Sequence, residues 1–122
     1  MSIRVLIVED DRDFAESLVL AMSVRQCAAD VAHSGQDAIA MYQAGAYDLV
    51  FMDIKLPGKN GVETLTELRE IDPQAKVVMM TGFSEAALLD TARQSGAMDV
   101  LRKPFKMRQL FSYLDALNEP ES

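Results

Sequence analysis

The stretch VLIVEDD, Val5 to Asp11, sets four aliphatic residues directly against three acids, Glu9, Asp10 and Asp11, with no base among them. The apolar half extends back to Ile3 as IRVLIV; it is rich in β-branched residues and too short for a helix, so it reads as a buried strand. The acidic half is unfavourable where it stands. Two full charges at about 4 Å repel by roughly 4 kcal/mol even at an effective dielectric of about 20, and withdrawal from water adds to that cost. Such a cluster is either solvated or balanced by something positive, and the rest of the chain decides which.

ADVA (Ala29–Ala32), DLVFM (Asp48–Met52), KVVMM (Lys76–Met80) and DVL (Asp99–Leu101) repeat the short aliphatic pattern, making five expected strands with IRVLIV. Amphipathic segments lie between them. DFAESLVLAMSV places Phe14, Leu18, Ala21 and Met22 at spacings of three and four, and the segments near 36–44, 62–71, 85–95 and 107–118 do likewise, so five helices are expected. Ser34 and Gly35 precede the second helix, Gly45 follows it, Asp72-Pro73 ends the third, and Ser84 with Glu85 opens the fourth. Strands that are apolar on both faces and joined by helical crossovers imply a parallel sheet covered on both sides. Right-handed crossovers then make the expected fold α/β, a doubly wound five-stranded parallel sheet with five helices in flavodoxin-like (βα)5 order. At 122 residues and 49% hydrophobic composition, the chain suits one domain over residues 1–122.

Composition narrows the partners. The net charge is −7 and the pI about 4.6, which argues against direct nucleic acid binding, since polyanion binders gain affinity from clustered Lys and Arg. Cations or proteins are the expected partners. Cys27 is the single cysteine and His33 the single histidine, so neither an intrachain disulfide nor a cluster of such metal ligands is available. Each reads as an ordinary packing or surface residue. No apolar run approaches the roughly 20 residues of a membrane span, and MSIRVLIV lacks a signal-peptide pattern, so a cytoplasmic protein without a membrane partner is expected.

In sheets of this kind, ligands sit beyond the carboxyl ends of the strands, where the winding reverses. The residues at those ends are Glu9, Asp10 and Asp11, then Asp53, then Thr81 and Gly82, then Lys103-Pro104. Oxygen donors with no soft ligand suit Mg²⁺ or Mn²⁺, which answers the question raised by the acids. A carboxylate beside such a metal can attack phosphorus, while metal, ammonium and hydroxyl neutralise the oxygens of the transferred group. Asp53 is the best placed acid for that role. The methionines, Met52, Met79 and Met80 among them, read as core filler.

VLIVEDD, MDIKLPGKNG around Asp53, MTG at Thr81 and RKPF at Lys103 follow one another at strand ends. The combination resembles the receiver domain of two-component response regulators over essentially the whole chain. The resemblance implies that Asp53 accepts a phosphoryl group from a histidine of a sensor kinase or a phosphotransfer protein, in a Mg²⁺-dependent reaction. A conformational change then regulates an output domain, a partner or a homodimer. Such a protein is a signalling phosphoacceptor that assists its own phosphorylation and dephosphorylation, not an enzyme with a separate substrate.

By the family pattern, Asp10 binds Mg²⁺ directly and Glu9 mainly through water. Asp53 and the main-chain carbonyl of Lys55 complete the protein ligands, and Asp11 is a solvated neighbour. Lys103 pairs with Asp53 and later with the phosphoryl group, the Thr81 hydroxyl donates to it, and Gly82 keeps the backbone open. Pro104 is expected to follow a cis bond. In LPGKNG, Pro57 and Gly58 favour a tight turn and Gly61 the start of the third helix. Lys55 and Phe83, two positions beyond Asp53 and Thr81, border the path of water to the phosphoryl group; neither orients water well, so both should slow its loss. Phe14 and Phe105 are expected to offer an apolar docking patch to a helical donor, with core packing of Phe14 as the alternative.

One departure stands out: receivers often carry Tyr or Phe three residues before the site lysine, and this chain has Val100. Output is therefore expected to travel through the fourth helix and the loop from Thr81 to Ser84. Competing readings are weaker. A phosphatase of the haloacid-dehalogenase type needs a second aspartate where Lys55 stands, and a flavin binder should offer hydroxyls, not acids, in its first loop. A receiver-like module that works unphosphorylated is the third alternative. LDALNEPES reads either as the end of a free-standing receiver or as the start of an interdomain linker.

Overall fold

The computed structural model describes residues 3–82 and 86–118. The expectations attached to Phe83, Ser84 and Glu85 lie outside the described residues. Strands and helices alternate as β1 (Arg4–Val8), α1 (Arg12–Val24), β2 (Ala28–Ala32), α2 (Gly35–Ala44), β3 (Leu49–Asp53), α3 (Gly61–Ile71), β4 (Val77–Thr81), α4 (Ala86–Gln94), β5 (Asp99–Arg102) and α5 (Met107–Asn118). All the strand pairings are parallel, and the order across the sheet is β2-β1-β3-β4-β5. From β1 the chain winds one way to β2 and then the other way through β3, β4 and β5. The crevice of reversal opens between the carboxyl ends of β1 and β3.

Alternation along each strand sorts the core into two layers. Val50, Met52, Val77 and Met79 pack with Leu65 and Leu68 of α3 and Ala92 of α4. Leu49, Phe51, Val78 and Met80 face the other way, against Leu18 and Met22 of α1 and Leu110 and Leu114 of α5. Every residue of β3 and β4 is buried because helices cover both faces, which is why these strands read as unbroken apolar runs. Met52, Met79 and Met80 are completely buried core residues.

Strand and helix boundaries at this edge of the sheet differ from expectation. β3 and β4 each run one residue further, to Asp53 and Thr81, because the ladder continues: Asp53 pairs with Met80 and Thr81 with Arg102. Both polar residues therefore sit on the last rung of the sheet, which is a stiffer mount than a loop. Gly35 is the first residue of α2 and does not precede it; Ser34 alone is the cap, accepting the Asp37 N–H at 3.1 Å. A Cβ on Gly35 would lie 2.2 Å from Thr64 Oγ1, so α2 begins hard against α3.

The loop after Asp53 is built to bring α3 back onto the end of β3. Gly58 takes a φ of +73°, in the region that favours glycine. Asn60 caps α3 in a reciprocal box with Glu63, and Lys59 pairs with Glu67. The Gly61 N–H donates to the Ile54 carbonyl at 2.7 Å. A Cβ at Gly61 would stand 2.2 Å from the Asp53 carbonyl oxygen and 2.8 Å from Ile54 Cα, both rigid backbone. Gly61→Ala should therefore cost about 1–3 kcal/mol of stability, the usual range for overpacking. Urea unfolding measures it, and a wild-type midpoint would show that α3 does not need this approach.

Candidate functional site

Three charged side chains meet where β1, β3 and β5 end. The Lys103 ammonium donates to Glu9 Oε1 at 2.8 Å and to Asp53 Oδ2 at 3.1 Å. Its backbone is held by the Lys103 N–H donating to the Thr81 carbonyl at 2.7 Å, and the Lys103-Pro104 bond is cis. The other carboxylate oxygens are also engaged. Glu9 Oε2 accepts the Asp11 N–H at 3.1 Å, and Asp53 Oδ1 accepts the Lys55 N–H at 3.2 Å.

Burial sets the electrostatics. Glu9 is 1% exposed and Asp53 7%. Removal from water pushes the Glu9 carboxyl up to about 7, against the downward pull of the Lys103 hydrogen bond and the Asp11 N–H, while the charge of Asp53 pushes it further up. For Lys103, burial alone favours the neutral amine, but the Glu9 hydrogen bond and the Asp53 charge outweigh it and hold the ammonium above its ordinary value. The lysine is therefore firmly charged, and the two buried acids share it.

Asp10 differs from both. It is exposed, and among the described residues its carboxylate has no hydrogen bond or ion pair. One oxygen from each of Glu9, Asp10 and Asp53 lies within 4.8 Å of the others. A cavity of about 430 Å³ opens over them, lined by Asp11, Lys55, Leu56, Pro57, Gly82 and Lys103 as well as the three acids. A compact group of hard oxygen donors, one of them unpartnered, is the donor chemistry that Mg²⁺ takes. The residues fit the ion.

The remaining expected residues fall into two groups. Thr81 is 1% exposed at the end of β4 beside Gly82, and its hydroxyl donates to the Gly82 carbonyl at 3.1 Å. Lys55 is exposed on the cavity wall. Phe14 and Phe105 are half-buried and packed edge to face, with centroids 6.0 Å apart. Val100 is half-buried against the layer that holds α3 and α4.

Sequence reasoning missed three contacts. Asp11 is not a merely solvated neighbour: it caps α1 by accepting the Phe14 N–H at 3.1 Å, and an acid standing just before an amphipathic run was the signal for it. The second bond of Lys103, to Glu9, had no local signal because 94 residues separate the partners. His33 donates from Nδ1 to the Glu9 carbonyl at 2.9 Å, with the Arg12 guanidinium 3.5 Å from Nε2, so it ties the end of β2 to the acid pair.

Comparison with known proteins agrees with this geometry. The model of the response regulator receiver domain matches residues 5–115, and the chain belongs to that family, the receivers of two-component systems. Regulatory protein VanRB of Enterococcus faecalis is 36% identical over 117 residues, which is 96% of this chain and 53% of that protein. The uncharacterized transcriptional regulatory protein YkoG of Bacillus subtilis is 32% identical over 112 residues, 92% of this chain and 49% of that protein. The chain thus spans about half the length of these curated relatives. The crystal structure of a two-component response regulator from Clostridium difficile has a TM-score of 0.90 at 26% identity, covering 99% of this chain and 100% of that one. Membership in a signalling family sets aside the phosphatase and flavin-binding readings.

Lys103→Ala would leave Glu9 and Asp53 facing each other without their shared cation. In chelator at pH 8 it should cost about 2 kcal/mol, less than a fully buried pair because the ammonium keeps some contact with water. Adding Glu9→Gln should recover most of that loss. Urea unfolding of the single and double variants checks this, and a single variant as stable as wild type would show that the acids do not depend on Lys103.

Proposed function

We propose that Asp53 is the phosphoacceptor of this receiver, that the donor is a phosphohistidine of a sensor kinase or phosphotransfer protein, and that the reaction takes place in the cytoplasm. The observation that carries the reading is the Lys103 ammonium bound to both Glu9 and Asp53 at the floor of the acidic cavity. One Asp53 oxygen attacks phosphorus. The O–P bond forms as the P–N bond to the donor imidazole breaks, and the electron pair of that bond stays on the imidazole nitrogen while the other ring nitrogen carries the proton. Lys103 already lies 3.1 Å from Asp53, so it can follow the charge onto the phosphoryl oxygens without a large movement.

Asp10 and Asp53 would hold Mg²⁺ directly with the carbonyl of Lys55, and Glu9 mainly through water. The unpartnered, exposed carboxylate of Asp10 supports its direct role. When bound, Mg²⁺ supplies positive charge to the phosphoryl oxygens. The Thr81 hydroxyl gives up its bond to the Gly82 carbonyl and donates to the phosphoryl group. Output passes to a further domain, a partner protein or a second copy of the chain.

Incubation with a small phosphodonor and Mg²⁺ should add one phosphoryl group by mass spectrometry, none in Asp53→Asn, and none in chelator. Labelling that survives in Asp53→Asn would move the acceptor elsewhere. The exposed position of Lys55 on the cavity wall supports its role as a barrier to water. Lys55→Asn should shorten the lifetime of the phosphorylated protein once the donor is removed at constant Mg²⁺, and an unchanged decay would remove Lys55 from that role.

A further inference from the structure

We propose that Phe14 is a positioning residue for Lys103: its ring, presented by the first turn of α1, covers the ammonium and keeps it against Glu9 and Asp53 before phosphorylation. The inference rests on the reading of Lys103 as the phosphoryl-site cation and adds a residue from outside the polar cluster.

Lys103 Nζ lies over the Phe14 ring, 4.6 Å from its centroid. The face of an aromatic ring is negative and attracts a cation at this range. An ammonium has three donors, and Glu9 at 2.8 Å and Asp53 at 3.1 Å account for two of them. The ring lies against the ammonium beside those two bonds and limits its contact with water on that side. Lysine needs such a contact more than arginine would, because its stem is flexible and its point charge is strongly hydrated. Without the ring, the ammonium can trade either carboxylate for solvent.

The ring is itself fixed from two sides. The Asp11 carboxylate accepts the Phe14 N–H and sets the first turn of α1. Phe105 meets the Phe14 ring at an interplanar angle of 67°, and Phe105 follows Lys103 and Pro104 in the same loop. The loop that delivers the cation therefore also braces the ring that covers it. An aliphatic residue at position 14 would still pack on the same core layer, but it would offer the ammonium no negative face.

The test compares Phe14→Leu with Phe14→Tyr, and Phe14→Met replaces the first variant if it does not fold by urea titration. In the unphosphorylated, metal-free protein, the Lys103 Cε methylene should show an upfield ring-current displacement by NMR. Phe14→Leu should abolish that displacement and Phe14→Tyr should keep it. Labelling by a small phosphodonor with Mg²⁺ should slow by about three- to tenfold in Phe14→Leu and recover in Phe14→Tyr. A Lys103 signal unmoved by Phe14→Leu would overturn the proposal. Equal slowing in both variants would also overturn it, since shape and not the ring face would then matter. Slowed transfer from a kinase with normal small-donor labelling would overturn it in favour of a docking role for Phe14. If the wild type fails to label at Asp53, the phosphoacceptor reading fails, while the NMR comparison still decides the contact between Phe14 and Lys103.

Discussion

One ammonium shared by two buried carboxylates is the interaction around which this end of the sheet is organised. Glu9 and Asp53 end adjacent strands and lie nearly out of reach of water, where their mutual repulsion is felt most. Their shared cation comes from β5, two strands beyond β3 and so about 10 Å away at normal strand spacing. A long unbranched side chain can cross that span if its backbone starts in the right place. The Lys103 N–H on the Thr81 carbonyl anchors that start to the last rung of β4.

The same arrangement explains how a small chemical change can be felt beyond the site. On this account, phosphorylation of Asp53 shifts the charge that Lys103 follows from a carboxylate oxygen to the phosphoryl oxygens. Lys103 is continuous with β5 on one side and with the loop leading to α5 on the other, and Thr81 leads toward α4. A pull on either residue acts on elements at the edge of the sheet, the kind of element that can settle in a second position. Val100 supplies no ring to report on Thr81 and is packed with the α3 and α4 layer.

Much of this was legible in the sequence because it depends on local pattern. Five aliphatic runs alternating with amphipathic segments were enough for the parallel, doubly covered sheet, and the residues after each run were enough to gather Glu9, Asp10, Asp53, Thr81 and Lys103 at one edge. Strand ends were less legible, since Asp53 and Thr81 are polar and break the apolar run while the ladder continues through them. The start of α2 was misjudged because glycine reads as punctuation, whereas Gly35 is helical to let α3 come close. Contacts between distant segments, such as Lys103 with Glu9 and with Phe14, leave no trace in composition or spacing. They arise from how helices and loops settle on the sheet.

The most direct test of the central claim is a crystal structure with Mg²⁺ and beryllofluoride, a stable mimic of the phosphoryl group. The account predicts beryllium bonded to an Asp53 oxygen, Mg²⁺ between Asp53 and Asp10, and the Lys103 ammonium moved from Asp53 onto a fluorine. Beryllofluoride bound away from Asp53, or a Lys103 that keeps both of its carboxylate bonds unchanged, would contradict it.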